Sequence, residues 1–146
     1  MDRFKEVLDG ADASIEAGFE TIKLNTVLLK GLNDSELDEF IDFVADKDVS
    51  LRFIELMRTS DNQDYFKMHH LSGNVVTEKL LARGWSILPR IDGAGPALEF
   101  SHPDSLGRIG LIAPYSKDFC KTCNRLRVSA RGALHLCLFG EGGFSL

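Results

Sequence analysis

The sequence predicts an α/β protein, in which helices alternate with strands of a parallel sheet and a small α+β unit follows. Two observations support this fold class. Apolar residues at helical spacing alternate with two strand-like runs, the first of them nearly continuous, apolar and β-branched, a pattern typical of buried parallel strands. Later in the chain, shorter strand-like runs are separated by Gly and Pro turns. We therefore predict a boundary near residue 62, between segments 1–62 and 63–146.

The first segment predicts four elements in order. A helix is expected at 4–15 and a buried strand at 21–29. Asp34 or Ser35 then caps a second helix, and a second buried strand is expected at 50–57. The apolar face of the second helix carries Leu37, Phe40, Ile41 and Val44. Helix, strand, helix, strand is the building pattern of parallel sheets and barrels.

Two strands alone would leave bare sheet edges on both sides, which natural domains avoid. We therefore expect that further strands precede Met1 and that the chain is a fragment of a longer protein.

A polar loop is predicted at 58–72, across the boundary between the two segments, and His69 and His70 are expected to be solvated in it. A short helix near 75–83 ends at Gly84. Short strands follow around 85–89, 97–101 and 107–113.

Composition and charge restrict the function. Of 146 residues, 44% are hydrophobic and 27% charged, as in a water-soluble globular protein. A net charge of −5 argues against non-specific nucleic-acid binding. No apolar run approaches the roughly 18 residues of a membrane span, and the start lacks a signal segment. We expect a cytoplasmic protein without a nucleic-acid or membrane partner.

Three cysteines, Cys120, Cys123 and Cys137, form the strongest chemical signal, a C-x2-C-x13-C pattern. An odd number of closely spaced cysteines favours a metal site over disulfides. From spacing alone, two interpretations stay open. His135 precedes Cys137 by two residues and would complete a Cys3His zinc site. Without a fourth ligand, three cysteines suit a [4Fe–4S] cluster with one open iron.

The residues between the cysteines favour a binding role. If 123–128 is extended, Cys123, Arg125 and Arg127 project from one face. A guanidinium offers a planar fork of donors to a phosphate or a nucleobase carbonyl, which a structural zinc site does not need. The alternative is a solvated strand face paired with carboxylates.

Several segments carry a resemblance to a known family. The sequence has GLIAPYS at 110–116, FCKTCNRLR at 119–127 and GALHLCLFG at 132–140. Upstream it has IEAGF at 15–19, KLN at 23–25, LKGLND at 29–34 and LRFIELM at 51–57. In this order they are similar to the GTP 3′,8-cyclase family of molybdenum cofactor biosynthesis. The resemblance covers essentially the whole chain and favours iron–sulfur over zinc.

The resemblance implies a radical S-adenosylmethionine enzyme, built on an incomplete TIM-type barrel that ends in a small α+β domain with a cluster site. In this family an amino-terminal [4Fe–4S] cluster cleaves S-adenosylmethionine and generates a 5′-deoxyadenosyl radical. GTP is converted to (8S)-3′,8-cyclo-7,8-dihydroguanosine 5′-triphosphate. The family also implies a homodimer.

The resemblance also implies roles for particular residues. A carboxy-terminal [4Fe–4S] cluster on the three cysteines would bind the guanine of GTP through its open iron. The positions that match GTP contacts are Lys23, Arg125, Leu126 and Arg127, and Met57 matches a residue beside S-adenosylmethionine. On its strand Lys23 would face the barrel interior, and an ion pair with Glu55 is its structural alternative.

The chain departs from the family in several ways. It has no C-x3-C-x2-C motif, so by itself it is expected to be inactive, and we assign no catalytic residue in it. Arg58 stands where the family usually has proline, and the chain ends before the family's usual carboxy-terminal tail. A third class, radical enzymes with auxiliary clusters for peptide substrates, usually has more cysteines than this chain.

Overall fold

The computed structural model describes residues 3–91, 95–117, 119–123, 125–137 and 144–145. Its main element is a mixed five-stranded sheet in the order β1-β2-β5-β4-β3. The strands are β1 (Lys23–Leu28), β2 (Ser50–Glu55), β3 (Ser86–Ile87), β4 (Leu98–Ser101) and β5 (Arg108–Ile112). The first, second and fifth strands are parallel, whereas β3 and β4 are antiparallel to their neighbours.

The described residues also form four α-helices: α1 (Phe4–Glu16), α2 (Leu37–Phe43), α3 (Gln63–His69) and α4 (Asn74–Ala82). A 3-10 turn, Asp34–Glu36, leads into α2. The predictions of α1, α2 and α4 are confirmed, as are the five strands. The predicted cap of α2 by Asp34 or Ser35 was wrong, because both residues lie in the 3-10 turn and Glu36 directly precedes the helix. The α/β class is therefore confirmed, and the partial barrel stays a prediction.

The prediction of a polar loop over the whole of 58–72 was wrong, because this segment contains α3. The helix has only seven residues, and none of them is buried. A tilted ring contact between Phe66 and His70, with centroids 4.4 Å apart, joins its last turn to the residue after it. Residues four apart lie on the same helix face, so the pair stabilises the helix end. Contacts of His70 with Glu55 and Tyr115 add tertiary support.

The core lies on one face of the sheet. Alternate residues of β2 and β5 point to it, and helices α2 and α4 cover it. Phe40 of α2 packs edge-on against Phe53 of β2, with ring centroids 5.4 Å apart. The largest fully buried side chains are Phe53, Phe100, Leu28, Leu80, Ile109, Val44 and Val76. Burial of this apolar set is the main stabilising contribution to the fold.

The edge of β2 that faces away from β1 is also paired with a strand. β5 pairs with it in parallel, from Ser50 opposite Arg108 to Ile54 opposite Ile112. The expectation of two bare edges for the first strand pair was wrong, because a third parallel strand comes from residues beyond the 58–72 segment. The boundary near residue 62 thus falls between two strands of one sheet, and it stays a prediction. Within the described ranges, β1 is an outer strand of this sheet.

None of the helices in the described part of the chain is both long and apolar enough to cross a membrane.

Candidate functional site

The first two cysteines lie on one tight turn. β5 ends at Ile112, and a 3-10 turn, Phe119–Thr122, follows shortly after it. The amide of Cys123 donates to the carbonyl oxygen of Cys120 at 3.3 Å, which closes the turn. All three cysteine side chains are exposed. Two thiols three residues apart on a turn are the arrangement in which a single metal centre is commonly wrapped.

The third cysteine lies between the last two strands of a small antiparallel sheet, which is made of β6 (Arg127–Val128), β7 (Ala133–His135) and β8 (Phe144–Ser145). The turn between β6 and β7 is held by Ser129. Its hydroxyl oxygen accepts from the amides of Arg131 and Ala133, at 3.3 and 3.1 Å. Gly132 occupies the left-handed region there, with φ 76°, which a side chain would disfavour. Cys137 comes two residues after the end of β7.

Arg127 lies in the short strand β6, and Arg125 precedes it. Only residues 127 and 128 of the predicted extended stretch 123–128 form a strand, and residue 124 lies outside the described residues. β6 is too short to include Cys123 and Arg125. That these two residues and Arg127 share one strand face therefore stays a prediction. Arg125 is exposed, and its Nη2 atom lies 3.8 Å from the position that a Cβ on Gly95 would take. Arg127 is half-buried.

The described residues do not assemble a metal centre. Among them no three His, Cys, Asp or Glu side chains converge as ligands of one ion. The donors themselves suit the cluster, because three accessible thiols outside any disulfide are the ligands that iron–sulfur clusters use. His135 lies directly opposite Arg127 in the β6–β7 register. The three-cysteine centre thus stays a prediction.

Lys23 begins β1 and is exposed. The register places it beside Ser50, and Ser50 beside Arg108, so the three residues share one face of the sheet. Glu55 is paired with Leu28 and therefore points to the opposite face. The alternative ion pair between Lys23 and Glu55 was wrong for this reason.

A cavity of about 520 Å³ borders this second face, at the end where the parallel strands begin. Its volume lies within the range of ligand-binding pockets. The charged residues that line it are Lys23, Arg52, Arg108, Glu20, Asp48 and Glu99. Arg52 donates to Glu99 at 3.1 Å, while its buried Nε atom has no partner among the described residues. Gly110 leaves room for the arginine, since a Cβ there would lie 3.0 Å from its Cγ.

Sequence reasoning selected Lys23 in this cavity but missed Arg52 and Arg108. The signal was present at Arg52, which alternates with Leu51 and Phe53 in a strand that otherwise looked fully buried. Such alternation indicates that one face of the strand is polar.

Met57 lies where it was predicted, just past the carboxyl end of β2, and it is half-buried. The turn that carries Cys120 and Cys123, called the cysteine turn below, follows the carboxyl end of β5, which is parallel to β2. Met57 and Cys120 therefore come from the same end of the sheet. Lys23 begins its strand and belongs to the other end, about 17–20 Å away for strands of this length. The structure thus separates Lys23 from the other predicted site residues.

A buried carboxylate near Met57 was not predicted as part of any site. The side chain of Glu55 is 4% exposed and lies 2.8 Å from Nε2 of His70. Its other oxygen accepts from the amide of Gly73 at 3.2 Å. His69 is also bound, through Nδ1 and the carbonyl oxygen of Lys30 at 2.9 Å. The prediction that both histidines are solvated was wrong, because His70 is one of the partners that the buried carboxylate requires and His69 binds a backbone carbonyl group.

Residues 49–146 match the Molybdenum Cofactor Synthesis C family, and the chain belongs to this family. The matched range begins one residue before β2. It contains every later element of the sheet and the three cysteines.

Similar curated proteins carry the name GTP 3′,8-cyclase. One from Psychromonas ingrahamii is 55% identical over 143 residues, covering 98% of this chain and 42% of the relative. Two from strains of Stenotrophomonas maltophilia are 58% and 57% identical over 145 residues, covering 99% of this chain and 44% of each relative. The resemblance inferred from the motifs is confirmed. The chain spans less than half the length of these relatives.

Proposed function

We propose that this chain is the carboxy-terminal part of a GTP 3′,8-cyclase, a radical S-adenosylmethionine enzyme of molybdenum cofactor biosynthesis. The observation that carries the proposal is the similarity to proteins of that name over 98–99% of the chain. The three cysteines and two arginines of one short segment lie within the matched family range. The experiments below use the family-length protein, which is this chain preceded by the amino-terminal segment that such relatives carry.

Cys120, Cys123 and Cys137 are proposed as thiolate ligands of a [4Fe–4S] cluster. Such a cluster with three protein ligands supplies an open iron, a Lewis acid for an oxygen or nitrogen of guanine. The chain's own contribution is to present two thiols on one turn and the third after a short hairpin. Their exposure supports the proposal, because a ligand set must be accessible to cluster assembly.

Arg125 and Arg127, with Leu126 between them, are proposed to hold GTP beside that cluster. A guanidinium binds phosphate or carbonyl oxygens through parallel hydrogen bonds, which fixes both position and orientation. Arg127 is half-buried and therefore partly ordered before the ligand arrives. Arg125 is exposed and able to reorient.

The face of the sheet that carries Lys23 is proposed to be the inner face of an incomplete barrel. Its polar character supports this, since the lysine, Asn25 and Arg52 occupy neighbouring positions on β1 and β2. Lys23 is proposed to contact GTP from this face, and Met57 to lie beside S-adenosylmethionine. The two segments 1–62 and 63–146 would then be the end of the barrel and the cluster-bearing region.

The remaining proposals concern the whole protein. We propose that a second [4Fe–4S] cluster and S-adenosylmethionine bind to the amino-terminal segment. This chain by itself would then be inactive, because its three cysteines are all used for the other cluster. A cytoplasmic homodimer is the proposed form.

Binding of GTP to the anaerobically reconstituted family-length protein tests this function. Replacing Arg127 with alanine should weaken GTP binding by about 1.5–3 kcal/mol, or roughly 10- to 150-fold, the range for hydrogen bonds to charged groups. Iron content should not change. Arg131→Ala is the matched control, because Arg131 is exposed in the turn of the same hairpin.

Equal affinities of the two variants would contradict the proposed role of Arg127. One zinc per chain and no binding of GTP would contradict the function as a whole, and would instead support a zinc module.

A further inference from the structure

The main chain after β2 is held from two sides. On one side the side-chain amide of Asn62 donates through Nδ2 to the carbonyl oxygen of Met57 at 2.9 Å. Its Oδ1 accepts from the amide of Thr59 at 2.7 Å, so one side chain closes the loop. On the other side the amide of Arg58 donates to the hydroxyl oxygen of Tyr115 at 2.8 Å. The peptide unit that joins Met57 to Arg58 therefore has a side-chain partner at each end.

Tyr115 is in turn fixed by aromatic packing. Its ring lies edge-on to His70, with centroids 5.4 Å apart at 88°, and 5.9 Å from Phe66. His70 is oriented by the buried carboxylate of Glu55, at 2.8 Å from Nε2. Edge-to-face pairs of this kind stabilise one relative orientation of the rings. The tyrosine hydroxyl is thereby held in place although the residue is 54% exposed.

The same tyrosine belongs to the segment that leads into the cysteine turn. The amide and the hydroxyl of Ser116 both donate to the carbonyl oxygen of Ala113, at 3.0 and 2.7 Å. The amide of Phe119 donates to the carbonyl oxygen of Ser116 at 3.3 Å. A short series of turns thus connects Tyr115 to Cys120, five residues later.

We propose that Tyr115 and Asn62 are positioning residues, which fix the Met57–Arg58 main chain relative to the cysteine turn. The inference rests on the proposed function, in which Met57 lies beside S-adenosylmethionine and the cysteine turn holds GTP. The reaction requires the two substrates at a defined separation, and small displacements of a positioned group are costly. The network from Glu55 through His70 to Tyr115 supplies that rigidity at the end of the sheet where both segments emerge.

Arg58 makes the proposed positioning role of Tyr115 testable, because only the main-chain amide of Arg58 takes part in the hydrogen bond to Tyr115. Proline at this position has no amide hydrogen to donate, and its ring restricts the backbone instead. Tyr115→Phe should therefore matter in the native sequence, and it should not matter in an Arg58→Pro background.

Steady-state kinetics of the reconstituted family-length protein provide the test. Tyr115→Phe keeps the ring and removes the acceptor oxygen, so KM for S-adenosylmethionine should rise about threefold to tenfold, the loss expected for one hydrogen bond. KM for GTP, iron content and Tm should stay at their native values. Asn62→Asp keeps the acceptor for Thr59 but loses the donor to Met57, and it should raise the same KM.

Tyr65→Phe is the matched control, since Tyr65 lies on α3 and is 45% exposed, and it should leave both KM values unchanged. In the Arg58→Pro background, Tyr115→Phe should change KM for S-adenosylmethionine by less than about twofold, because the hydrogen bond is already absent.

Three results would overturn the inference: no effect of Tyr115→Phe in the native sequence, an equal effect in both backgrounds, or a parallel rise of both KM values with a lower Tm. If the unsubstituted protein converts no GTP, the proposed function fails first, and this outcome is separate from the other three.

Discussion

The sheet region and the cysteine segment of this chain are ordered by different means. In the sheet region, Phe53, Leu80 and Phe100 are at most 1% exposed. In the cysteine segment, 119–137, Leu126, Val128 and Leu136 are 64%, 62% and 59% exposed, and the strands have two or three residues. Segments with few buried apolar contacts are the ones that open locally. The sheet is therefore stabilised by its own apolar core, whereas the cysteine segment has few buried apolar contacts of its own.

The largest expected difference between the two regions is in the free energy of unfolding. Leu80→Ala should lower it by about 2–5 kcal/mol, because it leaves a cavity in a fully buried position. Leu136→Ala, the matched change in the cysteine segment, should lower it by less than about 0.5 kcal/mol. Denaturant unfolding of the metal-free family-length protein measures both. Similar losses would mean that the two regions are packed alike.

A second difference concerns glycines. Gly107 is buried just before β5, and a Cβ there would lie 2.5–2.8 Å from the carbonyl oxygens of Lys47, Val49 and Val44. Gly107→Ala should therefore destabilise the sheet region by about 1–3 kcal/mol.

The control for this change is Gly10→Ala in α1, where a Cβ meets no atom within 4 Å. It should stabilise the protein by about 0.5–1 kcal/mol through helix propensity. A neutral Gly107→Ala in thermal unfolding would show that β5 does not approach these carbonyl groups so closely.

The smallest effect is expected at the surface between α2 and α4. A hydrogen bond from Lys79, at 2.6 Å, and one from Arg83, at 3.0 Å, hold the pKa of Asp38 below its usual value. Because this pKa is lower in the folded state, the stabilisation is present above the unfolded-state pKa. It is lost as the pH falls through the folded-state pKa.

Thermal midpoints between about pH 6 and pH 3 measure this contribution. Asp38→Asn should flatten the acid side of the profile slightly, since the pair is exposed and screened by solvent. Asp46→Asn, at an exposed carboxylate without a salt bridge among the described residues, should leave the profile as it is. A profile that is identical for all three proteins would show that Asp38 contributes nothing to acid stability.

Local patterns were sufficient to predict most elements of the sheet region. The spacing of Phe4, Val7 and Ile15 indicated α1, and the nearly continuous apolar run at 21–29 indicated β1. Glycine after α4 marked its end, and Gly84 does have a positive φ of 82°. These features depend on neighbours in the sequence, so one chain without relatives was enough to identify them.

Features that depend on distant partners were not predicted. The pairing of β2 with β5 joins residues more than fifty positions apart, and nothing in either strand specifies the other. Helix α3 is polar and short, and it was missed because Glu55 and Tyr115 contribute to its position from outside. For the candidate site, the motif identified the donors Cys120, Cys123 and Cys137. It did not predict that β6 would contain only two residues.

The central claim is that the three cysteines hold an iron–sulfur cluster. Iron and zinc should be counted per chain in the anaerobically reconstituted family-length protein, with and without serine at all three positions. We predict that the triple serine variant contains about four fewer iron atoms per chain, one [4Fe–4S] cluster, with zinc absent from both proteins. Equal iron contents, or one zinc that disappears with the cysteines, would contradict the claim.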